Sequence, residues 1–120
     1  MDIQNLNRVE AFTTKDGSEI RELLSSRNSC IRNQSLAEAR VFPGKKTIPH
    51  VHPKTEEIYY ILEGIGKMEV GEETSVVGPG DAIAIPPGTP HTIHNTGEAT
   101  LVFLCCCAPE YTHEDTELFG

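Results

Sequence analysis

Tryptophan is absent from this 120-residue chain, and aromatic residues make up only 6% of it. Long apolar runs are missing too. No stretch of about 18 apolar residues occurs, so no membrane-spanning helix is expected. No basic segment followed by an apolar one opens the chain, so no secretory signal is expected either. Basic residues are scarce, with ten Lys and Arg against eighteen Asp and Glu, for a net charge of −8. That balance argues against nucleic acid as a partner, because such binding rests on cations that neutralise phosphates. Only four cysteines are present: Cys105, Cys106 and Cys107 are consecutive and Cys30 stands alone. Disulfide scaffolds spread their cysteines as staples, so this placement points to a reducing cytoplasm instead.

What the chain does have is punctuation, with ten Gly and eight Pro. The first 34 residues are polar and weakly patterned, and read as an N-terminal arm lying on the main body. Within the arm, Asp16-Gly17 marks a turn, and Ser18 is placed to cap a short helical turn carrying Ile20, Leu23 and Leu24. From Ser35 the pattern changes. Short apolar runs cover Leu36 to Phe42, Thr47 to His52, Glu57 to Leu62, Lys67 to Val70, Thr74 to Val77, Ala82 to Ile85, His91 to Ile93 and Leu101 to Cys107. Gly and Pro turns separate them, as at Pro43-Gly44, Gly78-Pro79-Gly80 and Pro86-Pro87-Gly88. Many short strands split by turns predict an all-β, antiparallel sandwich or barrel over 35–111, followed by a polar tail over 112–120.

Five histidines are present, and four of them fall in this region. His50 and His52 are two residues apart on a predicted strand, so alternation puts both on one face. Past the Pro53 turn, Glu57 opens the next strand, and a hairpin can return its carboxylate to the histidine pair. His91 follows the Pro86-Pro87-Gly88 turn. Imidazoles with a carboxylate form a mixed nitrogen and oxygen set. Such a set suits one divalent transition metal, Mn, Fe, Co, Ni, Cu or Zn, whereas Ca and Mg favour oxygen alone. Four such ligands on an octahedral ion leave two adjacent positions open. His94 is one residue off the His91 face and is expected to point outward, and His113 is expected to be solvated.

Two spaced motifs carry a resemblance. Gly44-x5-His50-x-His52-x4-Glu57-x6-Gly64 is similar to the first signature of the cupin superfamily. Gly80-x5-Pro86-x-Gly88-x2-His91-x3-Asn95 resembles the second, with every anchor present. The resemblance implies an antiparallel double-stranded β-helix, or jelly-roll, barrel. It assigns the metal to His50, His52, Glu57 and His91, the six-residue gap to Gly64 selecting Glu57 over Glu56. It also implies a homodimer.

With Glu57 facing inward, Tyr59 and Ile61 follow it, while Ile58, Tyr60 and Leu62 face out. Tyr59 is therefore the candidate catalytic residue, a phenol near a dication. Cys105 and Cys107 share one face and read as packing residues. The expected function is a metal-dependent enzyme acting on a small oxygenated metabolite, of dioxygenase, isomerase or lyase type. Many small cupins of this appearance resemble mannose-6-phosphate isomerase relatives. The presence of Glu57 argues against a thiol dioxygenase. The alternative is a non-catalytic module that binds a sugar or another small molecule. A sensor role is not expected, because the residues ahead of the barrel are weakly patterned and do not read as a DNA-binding segment.

Overall fold

Period-two alternation and frequent turns divide the chain into eleven short strands, seen in a computed structural model that describes residues 1–119. After a 3₁₀ turn at Leu6–Arg8 come β1 (Phe12–Thr13), β2 (Glu19–Leu24) and β3 (Ser35–Val41). The first histidine motif lies on β4 (His50–Val51) and β5 (Glu56–Glu63), and a hairpin of β6 (Gly66–Val70) and β7 (Glu73–Val77) follows. The second motif joins β8 (Ala82–Ile85) to β9 (His91–Asn95), and β10 (Leu101–Ala108) and β11 (Glu117–Leu118) complete the set. One sheet runs β1-β2-β3-β10-β5-β8 and the other β11-β4-β9-β6-β7. Every pairing is antiparallel. The architecture is an all-β jelly roll.

The core lies between the sheets. On β5, Glu57, Tyr59 and Ile61 are buried while Ile58, Tyr60 and Leu62 are exposed, which is the alternation expected of a half-buried strand. Ala39 and Val41 on β3, Phe103 and Cys105 on β10, and Ile93 on β9 close over the same space. Each fully buried side chain of the size of Ile93 or Phe103 contributes roughly 1.5–3 kcal/mol. Gly64 admits no side chain. Its φ is +88°, and an added Cβ would meet the Leu101 Cα and the Thr100 carbonyl oxygen at 2.9 Å. Buried Asn95 locks the same end of the barrel. Its amide donates to the carbonyls of Val41 (2.9 Å) and Ala99 (2.8 Å), and its oxygen accepts from the Gly97 N–H (2.9 Å).

Two expectations are corrected. The helical turn after Ser18 is strand β2, which pairs with β3 on one side and β1 on the other. The 20, 23, 24 spacing arises from a register shift between Glu22 and Leu24, which moves the apolar face by one residue. Of the run Thr47 to His52, only His50–Val51 is regular strand. Pro49 has no N–H for a ladder. Instead Thr47 joins β9 through backbone and side chain: its N–H donates to Ile93 O (3.0 Å), and its hydroxyl accepts from Ile93 N–H (3.1 Å). Among the described residues no helix is long and apolar enough to cross a membrane.

Candidate metal centre

Two strands deliver the imidazoles to one place. His50 on β4 pairs directly with His91 on β9, and His52 follows β4 by one residue. All three rings are buried, and one ligating nitrogen of each lies within 4.8 Å of the others. Each Nδ1 meets a backbone carbonyl: His50 that of Ile48 (2.8 Å), His52 that of Asp115 (3.1 Å) and His91 that of Thr89 (3.1 Å). A carbonyl only accepts, so each Nδ1 carries the proton. In the neutral rings each Nε2 is then left with its lone pair. This is the arrangement in which an outer hydrogen bond orients a metal-ligating histidine.

Glu57 on β5 adds a carboxylate from the neighbouring sheet. Its Oε1 lies 3.4 Å from the Nε2 of both His52 and His91. Two donors held about 2.1 Å from one ion stand about 3.0–3.4 Å apart at bond angles of 90° to 109°. Glu57 Oε1 and His91 Nε2 are buried without any hydrogen-bond partner. Buried polar atoms are rarely left so, and either a proton or a metal cation between the carboxylate and the facing lone pairs resolves the contact. The donor set therefore fits a divalent transition metal. The other Glu57 oxygen, Oε2, accepts from the Cys107 thiol at 3.2 Å.

The N-terminal hairpin reaches the same site. Asp16 Oδ2 lies 3.5 Å from His50 Nε2. The cavity between the sheets is lined by Asp16, Thr14 and Phe12 from the hairpin, by His50, His52, Glu57 and Tyr59, and by Phe103, Cys105, Cys107 and Tyr111. Tyr59 packs on Phe103 with ring centroids 4.5 Å apart and stands edge-on to His91 at 5.9 Å.

A family model described as "Cupin domain" matches residues 37–107. The chain is a cupin. It is 52% identical to an uncharacterized protein of Methanocaldococcus jannaschii over 93% of this chain and 90% of that one. It is 33% identical to the oxalate-binding protein of Thermotoga maritima over 72% of this chain and 71% of that one. Among solved structures, a predicted oxalate decarboxylase of Thermotoga maritima is 26% identical, with a TM-score of 0.78 over 89% of this chain and 98% of that one. The Streptomyces nucleoside dehydratase Pac13 shares the fold at 16% identity, with a TM-score of 0.79 over 97% of this chain and 88% of that one.

The cupin barrel also sets the charge states of the site. Burial alone would push the Glu57 carboxyl up, but the facing His52 and His91 outweigh it and hold it at about 2. Burial likewise opposes a charge on His52, yet Glu57 and Asp115 raise it above the ordinary histidine value. His50 is lowered by burial and by its neighbour His91, with Asp16 pulling the other way. Burial and the Glu57 charge push the Cys107 thiol and the Tyr59 phenol up, so both keep their protons.

His94 is half-buried on β9 outside this cluster, and His113 is exposed. The polar tail contributes to the site: Thr116 is buried, and the Asp115 carbonyl holds His52 while its carboxylate accepts from the N–H groups of Lys54 (3.1 Å) and Thr55 (3.0 Å). Asp16, Asp115 and the Cys107 thiol lie outside both motifs. Only chain contacts across 34 to 63 residues bring them in, and no local spacing signals that.

Proposed function

We propose that this cupin binds one divalent transition metal through His50, His52, His91 and Glu57 and acts as a metal-dependent enzyme on a small oxygenated metabolite. The observation that carries the reading is the convergence of three carbonyl-anchored imidazoles and a buried carboxylate on one space, with Glu57 Oε1 and His91 Nε2 unpartnered. A metal held by these four residues would supply Lewis acidity to a ligand oxygen. The protein's own groups do the rest. Phe103, Ile93 and Ile61 wall the barrel against bulk water. The Cys107 thiol fixes the Glu57 rotamer by its hydrogen bond to Oε2. Tyr59, buried in the cavity wall beside His91, serves as a hydrogen-bond donor to the ligand.

Tyr59→Phe tests the catalytic role. Metal content should stay at the natural level while turnover on the responsive substrate in dioxygenase, isomerase and lyase panels falls about 100-fold. Unchanged turnover removes Tyr59 from the chemistry. Metal retained with no turnover across the panels favours the binding-module reading. The homodimer rests on the outer face of β5, where Ile58, Tyr60 and Leu62 are 49%, 42% and 40% exposed beside the half-buried Leu104 and Cys106 of β10. Light scattering should give twice the 13.2 kDa chain mass.

A further inference from the structure

The N-terminal hairpin places a second carboxylate at the centre, next to His50, while Glu57 faces His52 and His91. Asp16 is fixed there by two sets of bonds. Its Oδ1 accepts from the Thr14 hydroxyl (2.6 Å), the Ser18 hydroxyl (2.6 Å) and the Ser18 N–H (2.9 Å). Its carbonyl accepts from the Ile48 N–H at 2.7 Å, which pins the turn to the segment that leads into His50. Oδ2 is thus left free and directed at His50 Nε2, 3.5 Å away. That separation matches the 3.4 Å of Glu57 from its own two imidazoles. The neighbouring Lys15 turns away and donates to the carbonyls of His113 (2.9 Å) and Thr116 (2.9 Å), so it does not offset Asp16.

The charge inventory of the cavity is one-sided. Its lining includes Asp16, Glu22 and Glu57, and no Lys or Arg. Glu22 is tied to Arg27 at the rim. Asp16 and Glu57 together therefore balance a divalent ion, and an anionic ligand would bring charge that no protein cation meets.

The geometry points to Asp16 as a positioning and specificity residue of the metal centre, one that accepts a hydrogen bond from a bound hydroxyl and so selects a small uncharged hydroxyl-bearing ligand over a carboxylate or phosphate. This inference rests on the metal-binding reading above, and it separates this protein from relatives named for oxalate.

The test uses the full chain and Mn(II), with oxalate as the anionic probe. Calorimetric titrations compare the natural protein with Asp16→Asn and with Asp16→Ser, which keeps a turn-forming side chain should the first variant fold poorly. Both variants should weaken Mn(II) by about tenfold. Once loaded, both should bind oxalate about tenfold more tightly than the natural protein, because a like charge has been removed. Oxalate affinity unchanged by both substitutions overturns the inference. So does tight oxalate binding by the natural protein. His52→Ala keeps the two readings apart. If it abolishes Mn(II) binding while the Asp16 variants match the natural protein, the Asp16 role fails and the histidine site stands. If the natural protein binds no Mn(II), the histidine site itself fails.

Discussion

Glu57→Gln should make the metal-free protein more stable and the metal-loaded protein less stable. In the metal-free state Glu57 Oε1 faces the lone pairs of His52 and His91 at 3.4 Å, acceptor against acceptor, because each Nδ1 already donates to a carbonyl. A glutamine amide places a donor where the carboxylate has none, and it removes a buried charge. Each unsatisfied buried group costs about 1–3 kcal/mol, so satisfying His91 Nε2 stabilises by that amount. At about 4 °C per kcal/mol for a chain of this length, the metal-free Tm should rise by about 4–12 °C. The measurement belongs at pH 9, above the imidazole range, after treatment with a chelator. Adding Mn(II) at a hundred times its Kd should stabilise the natural protein by about 2.7 kcal/mol, and the variant by much less, so the order of stability inverts. A metal-free variant less stable by about 3–5 kcal/mol would refute this reasoning. That is the cost of breaking a buried ion pair, and it would make Glu57 a structural partner of a protonated histidine.

Lower pH should erase the advantage of Glu57→Gln. The depressed Glu57 contributes stability above its ordinary value of 4.5, lost as pH falls toward about 2, and the raised His52 contributes below 6.5, lost as pH rises through its folded value. Between these limits the natural metal-free protein holds an ion pair, and thermal melts at pH 5.5 should favour it over the variant. Proton release on Mn(II) binding should persist above pH 6.5, because the ion displaces the His52 proton; calorimetry in buffers of different ionisation enthalpy reads it. Cys107→Ala should weaken Mn(II) by about tenfold through loss of the donor to Glu57 Oε2, and Cys107→Ser should restore it. Asn95→Ala leaves the carbonyls of Val41 and Ala99 and the Gly97 N–H without their partner, and should lower stability by about 3 kcal/mol in a urea melt, with metal affinity unchanged.

The barrel was legible in the sequence because its determinants are local. Alternation on β5 separates Glu57, Tyr59 and Ile61 from Ile58, Tyr60 and Leu62, and the β8 limits Ala82–Ile85 follow from the Gly and Pro that flank the run. The three imidazoles could be brought together on paper because two share a face and the third follows a rigid turn. The hairpin over 12–24 reads as partly helical in the sequence, because a register shift of one residue imitates helical spacing. The surroundings of the site were hidden for another reason. His52 is oriented by Asp115, Glu57 by Cys107, and His50 faces Asp16. Those contacts are set by how β2, β10 and the tail close over the mouth, and no periodicity records them. The three consecutive cysteines show the same limit: alternation gives Cys107 an inward face, but only its register opposite Glu57 turns a packing residue into a hydrogen-bond donor.

The central claim is that His50, His52, His91 and Glu57 hold a metal. Elemental analysis of the purified natural protein and of His52→Ala tests it most directly. The account predicts about one equivalent of a first-row transition metal per chain in the natural protein and close to none in the variant. Full stoichiometry retained by His52→Ala, or no metal taken up by the natural protein even on incubation with Mn, Fe, Co, Ni, Cu and Zn ions, contradicts it.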